Sequence, residues 1–157
     1  MNDAIRTSPV MLDDTSKAII ARLQQDGRAA YSSIAREIGL SEAAVRGRVQ
    51  RLLDSEVLQI VAVTDPAQVG FRRQAMIGLR VTGDLGDVAQ RLGELPEIAY
   101  VVMTAGRFDL LIEVVCEDDE HLLELLTDTV RTMPGVTDTE TLVYLKLHKQ
   151  RYDWGTR

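Results

Sequence analysis

The chain has 157 residues, enough for one domain or two small ones, and 45% of them are hydrophobic. Only 4% are aromatic, so we expect a mostly aliphatic core; the single cysteine, Cys116, excludes a disulfide framework and a multi-cysteine zinc site. No apolar run approaches the ~18 residues of a membrane span, and the first residues lack a signal-peptide pattern. We therefore expect a cytoplasmic protein with no membrane partner.

The net charge of −6 is unevenly distributed along the chain. Residues 1–60 hold eight basic and eight acidic side chains, whereas residues 61–157 hold ten basic and sixteen acidic ones. Within the first part, residues 28–51 carry five arginines against two glutamates. This asymmetry predicts two separate tasks, because the first part would tolerate a polyanion that the second would repel.

Three short helices are predicted in the first part of the chain. Asp13 can cap the first, Ser32 the second and Ser41 the third. The apolar residues of the third helix form one stripe, which consists of Val45, Val49, Leu52 and Leu53. Only residues 39–41 separate the last two helices, and a three-residue turn containing glycine is typical of a helix-turn-helix.

The third helix is predicted to enter the DNA major groove. Such a helix needs small residues that let its backbone approach the bases, and arginines that bind phosphates or guanine. Gly47 supports this prediction. A glycine inside a helix destabilises it by about 1 kcal/mol relative to alanine, so its presence here indicates a function that needs a small residue. The alternative is a solvated amphipathic helix with ordinary surface arginines. The predicted DNA-binding set comprises the two cap residues, the small residues and the arginines: Ser32, Ser41, Ala43, Ala44, Arg46, Gly47, Arg48 and Arg51.

The rest of the chain reads as strands and helices in alternation. An extended β-branched run, Val57 to Val63, suits either a wing or a strand that links to another domain. Residues 73–148 then follow the order βαββαβ, a ferredoxin-like split unit, with a last strand from Val136 to His148. The predicted fold class is α+β.

One loop of this second part is a candidate ligand site. Residues 104–109 join two central strands, and Gly106 can expose backbone N–H groups to a ligand carboxylate. Asp109 can accept hydrogen bonds from a ligand ammonium, and Arg107 can attract its carboxylate. A tight hairpin turn in which Asp109 only caps backbone groups explains the same residues, and both interpretations stay open here.

Several stretches resemble the leucine-responsive/asparagine-responsive (Lrp/AsnC) transcription regulators. They are LDDTSKAIIARLQQDGRAAYSSIAREIGLS with RVQRL, then VTDPAQVGF and AGRFDLLIEV, and the resemblance covers roughly residues 11 to 149. It implies an N-terminal winged helix-turn-helix domain, a linker strand and a C-terminal ligand-sensing domain that pairs into homodimers. Dimers of this family often assemble into rings and bind small effectors, usually amino acids, where dimers meet.

The resemblance also implies which residues bind the effector. The family loop of glycine, variable residue, aromatic and aspartate matches residues 106–109. Thr141 matches a position on the last strand that completes the pocket from a neighbouring subunit. The predicted effector-binding residues are Thr104, Ala105, Gly106, Arg107, Phe108, Asp109 and Thr141.

Periodicity and resemblance together divide the chain into five segments. They are a flexible tail (1–10), a winged helix-turn-helix domain (11–60), a linker strand and turn (61–72), an effector and oligomerisation domain (73–148) and a second tail (149–157). Two residues depart from the family pattern. Glu56 stands where a glycine usually provides a left-handed helix end, and Ala105 where a threonine often precedes the loop glycine. Because that hydroxyl is missing, no particular effector is carried over.

Dimerisation is expected because one helix-turn-helix in a domain of zero net charge should bind DNA weakly. A dimer would read two half-sites about one helical turn apart. The predicted self-complementary surface is the aliphatic face of the strands, which consists of Ile77, Leu79, Leu111, Val143 and Leu145.

An enzyme is not expected. His121 and His148 lie far apart without zinc-type spacing, so no metal or cofactor is predicted, and no phosphate loop or nucleophile elbow occurs. The acidic residues 118–120 suit a helix N-terminus as well as a cation site. A βαββαβ domain also serves as a regulatory module of metabolic enzymes, but no catalytic domain remains in this length. The main alternative is an architectural DNA-binding protein of the same fold that needs no ligand.

Overall fold

The structure is a computed structural model that describes residues 12–156. The described residues form two compact units, one made of residues 12–62 with 149–156 and the other of residues 63–148. The predicted tail 1–10 lies outside the described residues. In the part of the chain that is described, no helix is both long enough and apolar enough to cross a membrane.

The first unit contains three helices: α1 (Asp14–Gln25), α2 (Tyr31–Ile38) and α3 (Glu42–Asp54). Asp13 caps α1 by accepting a 2.8 Å hydrogen bond from the Ser16 N–H, and Ser41 caps α3 by accepting one of 3.2 Å from the Ala44 N–H. The three helices share one aliphatic core, which consists of Ile19, Ile20, Leu23, Ile34, Ala35, Val45, Val49, Leu52 and Leu58. The predicted helix-turn-helix is confirmed.

The start of α2 differs from the prediction. Ala30, not Ser32, is the residue at which the chain enters the helix, and no side chain caps it. The N–H groups of Ser33 and Ile34 close the first turn on the Ala30 carbonyl, at 2.9 and 3.1 Å. The Ser32 cap is therefore wrong, and Ser32 instead lies within the first turn of α2 with an exposed side chain.

The extended run over 57–63, expected as a wing or as a linking strand, forms no strand within the described chain. Among the described residues this segment pairs with no strand, and all of it except Leu58 is exposed. β-branched residues favour a strand only where a neighbouring strand supplies the ladder, and the first unit offers none. Leu58 still reaches the core, because its N–H donates to the Leu52 carbonyl at 3.1 Å.

Glu56 ends α3 in the left-handed conformation expected from the family pattern. Its φ is 57°, which makes it the one non-glycine residue with positive φ in the described chain. A left-handed residue with a Cβ atom costs about 1–2 kcal/mol, so the departure from glycine places strain at this helix end.

The second unit is a four-stranded antiparallel sheet with helices packed against it. Its elements are β1 (Arg73–Val81), α4 (Leu85–Gly93), β2 (Ile98–Met103), β3 (Leu110–Cys116), α5 (Asp119–Glu124, continued by π-helical Leu125–Val130) and β4 (Val136–Val143). The strand order β2-β3-β1-β4 is that of a ferredoxin-like fold, as predicted. β4 is shorter than predicted because its ladder with β1 ends at the pair of Ala75 and Val143; Leu145, beyond this last pair, is 97% exposed.

The two faces of the sheet have different environments. Ile77 and Leu79 point to the helix side and are fully buried. They therefore cannot belong to the exposed dimer surface, and their inclusion in the predicted surface is wrong. Alternation along a strand shows that two faces differ but not which of them the helices cover. The opposite face carries a second set of apolar side chains, all partly or largely exposed: Met76, Tyr100, Val102, Leu111 and Leu142.

Candidate DNA interface and effector loop

The exposed side of α3 carries small residues, as the sequence predicts. Ala43, Ala44 and Gly47 are exposed. A Cβ atom at Gly47 would meet no atom within 4 Å. The fold of the first unit therefore does not require a glycine at this position, although a glycine weakens the helix.

The three arginines of α3 have different surroundings. Arg46 forms an ion pair with Glu42 at 2.7 Å, one turn earlier in the helix, and its guanidinium lies 5.3 Å from the centre of the Tyr31 ring. Arg51 is exposed, and among the described residues its side chain has no hydrogen-bond or ion-pair partner. A DNA phosphate or base could therefore engage Arg51 without displacing an internal partner.

Arg48 instead connects α3 to the start of α1. Its guanidinium donates to the Asp13 carboxylate at 2.6 Å and to the Ser16 hydroxyl at 3.4 Å, and its side chain is only 29% exposed. Arg48 would therefore have to exchange this internal ion pair to contact DNA, unlike Arg51. Arg48 holds the orientation of α3 within the first unit.

This connection gives the first unit a specific acid sensitivity. Hydrogen bonds from Ser16, together with Arg48, lower the pKa of Asp13 from 3.8 to about 2. A carboxylate with a depressed pKa stabilises the fold above its unfolded pKa, and this stabilisation is lost as the pH falls through about 2. We expect Asp13→Ala to lower the thermal midpoint of the first unit at pH 7, with the difference from wild type shrinking between pH 4 and pH 2.

Thermal melts followed by circular dichroism across this pH range measure the effect. Asp14→Ala is the matched control, because Asp14 is an exposed acid in the same helical turn whose side chain makes no hydrogen bond among the described residues. A difference from wild type that persists unchanged at pH 2 would contradict the linkage.

The loop 104–109 is held by four hydrogen bonds within the second unit. The Thr104 N–H donates to the Asp109 carbonyl (2.9 Å), and the Thr104 hydroxyl donates to the Phe108 carbonyl (2.6 Å). The Asp109 N–H donates to the Leu79 carbonyl at 2.9 Å, and the Val81 N–H donates to the Asp109 carboxylate at 2.8 Å. Asp109 therefore fastens the loop to the end of β1, which leaves its second carboxylate oxygen without a protein donor in the described chain.

The Phe108 ring fills a space that a glycine in β1 leaves open. A Cβ atom at Gly78 would lie 2.5–2.6 Å from three atoms of this ring. The Arg107 guanidinium lies 5.1 Å from the ring centre and forms an ion pair with Glu140. Glu140 stands directly opposite Gly78 in the β1–β4 register. The loop thus lies over the face of the sheet that the helices do not cover.

Gly78→Ala is expected to destabilise the second unit by about 1–3 kcal/mol, because the added methyl group overlaps the Phe108 ring. Denaturant unfolding measures the loss. Gly106→Ala is the control, since a Cβ atom there meets nothing within 4 Å. Adding Phe108→Ala to Gly78→Ala should recover part of the loss; an additive double variant would show that the two residues do not interact.

Thr141 lies away from the loop within one chain. It stands opposite the buried Ile77, on the helix side of the sheet, whereas Arg107 reaches Glu140 on the other side. The Thr141 hydroxyl is buried and has no hydrogen-bond partner among the described residues. A single chain therefore brings together residues 104–109 but not Thr141.

Gly78 and Glu140 were not predicted from the sequence. A lone glycine inside a strand often marks a close approach, so Gly78 carried a usable signal. Glu140 carried none, because its position opposite Gly78 depends on the strand register.

Two family profiles match the chain. Residues 12–53 match the AsnC-type helix-turn-helix domain, and residues 71–157 match a C-terminal dimeric alpha+beta barrel domain of AsnC-type regulators. The chain belongs to the Lrp/AsnC family. A Lrp/AsnC relative, the HTH-type transcriptional regulator FL11 of Pyrococcus horikoshii, is 35% identical over 143 residues, which span 90% of this chain and 94% of FL11.

Solved Lrp/AsnC structures share the fold. The leucine response regulatory protein LrpA of Mycobacterium tuberculosis is 28% identical with a TM-score of 0.80, covering 88% of this chain and 96% of LrpA. The transcriptional regulator NMB0573 of Neisseria meningitidis, solved as a complex with L-Met, is 24% identical with a TM-score of 0.78, covering 90% and 95%. The protein is thus a DNA-binding transcriptional regulator of the Lrp/AsnC family rather than an enzyme, with a C-terminal domain of a dimeric type.

Within the described part of this Lrp/AsnC chain, no group of three His, Cys, Asp or Glu side chains is placed to hold a metal ion.

Proposed function

We propose that this regulator recognises specific DNA sequences through α3 and that a small effector, an amino acid, modulates its DNA binding or its assembly. The exposed side of α3 is the observation that supports the proposed recognition of DNA. It combines Gly47, which the fold does not require, with Arg51, which has no partner in the described chain.

The proposed DNA contacts fall into three groups. Ala43, Ala44 and Gly47 let the helix backbone approach the base edges. Arg46 and Arg51 contact bases or phosphates, and Arg51 does so without giving up an internal ion pair. The exposed hydroxyls of Ser32 and Ser41, at the starts of α2 and α3, bind phosphates. Arg48 leaves this set and positions α3.

Gly47→Ala tests this assignment because it should move stability and DNA affinity in opposite directions. The new methyl group has open space and raises helix propensity, so we expect a stability gain of about 0.5–1 kcal/mol. The same methyl group stands between α3 and DNA, so affinity should fall several-fold.

The measurement uses a duplex selected from a random library by the wild-type protein, followed by fluorescence anisotropy. Gly93→Ala is the matched control, since Gly93 is an exposed glycine in α4 whose Cβ atom would also meet nothing within 4 Å. Unchanged affinity in Gly47→Ala would remove Gly47 from the interface.

The proposed effector site is the 104–109 loop, where neighbouring subunits meet in a ring of dimers. The second oxygen of the Asp109 carboxylate accepts the effector ammonium, and Arg107 binds its carboxylate. Exposed backbone at Ala105 and Gly106 adds N–H donors. The structural neighbour NMB0573 was solved with L-Met, which favours an amino acid as the class of effector.

One observation favours the architectural alternative instead. The polar groups of the loop already bond to each other, to β1 and to Glu140, so the loop needs no ligand to be ordered. A thermal-shift screen of the twenty amino acids separates the two functions. A ligand at about 100 times its dissociation constant should stabilise the protein by roughly 2.7 kcal/mol. No shift with any amino acid, combined with unchanged DNA binding, would support the architectural function.

A further inference from the structure

We infer that Glu140 competes with the effector carboxylate for Arg107 and so sets the affinity of the effector site. This inference rests on the proposed effector function and names the residue that regulates it. Its starting point is a chain of contacts that leads from Gly78 through Phe108 and Arg107 to Glu140.

Arg107 is positioned by the ring of its neighbour Phe108. The missing side chain at Gly78 seats the Phe108 ring against β1, and the Arg107 guanidinium lies 5.1 Å from the centre of that ring. A guanidinium on an aromatic ring is held in place by the ring quadrupole. Arg107 is therefore held over the sheet face beside β4.

The register of β4 places Glu140 beside Arg107. Glu140 is the direct cross-strand partner of Gly78, so its carboxylate stands next to the seat of the Phe108 ring. It forms the ion pair with Arg107 there. A guanidinium binds a carboxylate through its fork of N–H donors, and the carboxylate of an amino acid presents the same acceptor geometry as that of Glu140.

Arg107 can exchange its internal partner Glu140 for a ligand carboxylate. The side chains of Arg107 and Glu140 are 69% and 40% exposed, so a ligand reaches both without unfolding the loop. An exposed ion pair of this kind is worth only about two- to fivefold in an equilibrium constant. A ligand carboxylate can therefore displace Glu140. Breaking the Arg107–Glu140 pair reduces the observed affinity for the ligand by that same factor.

A second anchor distinguishes amino acids from simple carboxylic acids at this site. A free carboxylate alone would only replace one weak ion pair with another. A ligand whose ammonium also reaches the unbonded oxygen of Asp109 gains a contact for which Glu140 cannot compete. The glutamate thereby lowers the affinity of simple carboxylic acids and of amino acids by the same factor, and the contact with Asp109 distinguishes the two ligand classes.

The test compares wild type with Glu140→Gln. The twenty L-amino acids are screened on both proteins by thermal shift, and the strongest binder and its carboxamide are titrated by calorimetry. We expect Glu140→Gln to bind the amino acid about two- to fivefold more tightly. The carboxamide should gain nothing, because it has no carboxylate to exchange with Glu140.

Two variants control for charge and for Arg107. Asp138→Asn removes the same charge from the next residue on the same face of β4 and should leave affinity unchanged. Adding Arg107→Ala to Glu140→Gln should abolish the gain. Glu140→Ala repeats the readout without an amide that could bond to Arg107.

Each outcome bears on the inference. No gain, an equal gain for the carboxamide or an equal gain in Asp138→Asn would overturn it while the effector function stands. Binding of an amino acid by Glu140→Gln alone would support it. If neither protein binds any amino acid, the proposed effector function fails and the inference falls with it.

Discussion

Arg51→Ala should weaken binding to the selected operator by about 1–3 kcal/mol, which is roughly a 5- to 150-fold loss in affinity. Arg51 is exposed on α3 and has no partner in the described chain, so its full interaction with DNA is gained on binding. Arg46 must share its charge with Glu42, and its replacement should cost less. Fluorescence anisotropy at several salt concentrations measures both variants.

The salt dependence identifies the kind of contact that Arg51 makes. Loss of a phosphate contact should reduce the slope of log affinity against log salt by about one and weaken all sequences alike. Loss of a contact to a base should leave that slope nearly unchanged and relax specificity at one position of the operator.

Two control variants separate this effect from folding and from net charge. Lys146→Ala removes an exposed positive charge of the second unit and should leave operator affinity near the wild-type value. Arg48→Ala should lower the thermal midpoint, because it removes the ion pair with Asp13. Arg51→Ala breaks no internal ion pair and should leave the thermal midpoint unchanged. Wild-type affinity in Arg51→Ala would refute the assignment of α3 as the recognition helix.

Elements whose signal is local were predictable from the sequence. The apolar stripe of α3 and the caps at Asp13 and Ser41 depend on residues three or four positions apart, and the structure confirms them. The order of strands and helices in the second unit was predictable for the same reason, since each strand alternates and each helix has its own stripe.

Elements that depend on a partner were not predictable. The run 57–63 has the composition of a strand but no neighbour to pair with in the first unit, and β4 ends where its ladder with β1 stops, at the pair of Ala75 and Val143. The role of Arg48 follows from Asp13, 35 positions earlier in the chain. The burial of Ile77 follows from the side of the sheet on which the helices pack. Each of these features needs a tertiary contact that no local pattern contains.

The candidate effector loop combines both cases. Its six residues were identifiable as a glycine-containing turn, but both a purely structural turn and an effector-binding loop explained them. In the structure, the two oxygens of the Asp109 carboxylate differ in their surroundings. One carboxylate oxygen accepts the Val81 N–H, which is the turn role, and the other has no protein donor in the described chain, which is the position that an effector ammonium would use.

A pair of substitutions at Asp109 should therefore separate structure from response. Asp109→Asn keeps an oxygen for the Val81 N–H but loses the charge, so we expect wild-type stability, intact DNA binding and dimerisation, and no response to the effector. Asp109→Ala also leaves the half-buried Val81 N–H unpaired, which should cost about 1–3 kcal/mol in stability. Thermal melts with and without the amino acid found in the screen measure both quantities.

The two variants together decide between the interpretations of this loop. If Asp109→Asn responds at wild-type effector concentrations, the charge has no part in binding, Asp109 is a turn residue and the effector site lies elsewhere. If Asp109→Asn loses stability as Asp109→Ala does, the loop depends on the charge itself, and the loss of response cannot be assigned to the ligand. A stable, unresponsive Asp109→Asn protein is the result that places the effector ammonium at this carboxylate, because the hydrogen bond to β1 is then the only role that asparagine has preserved.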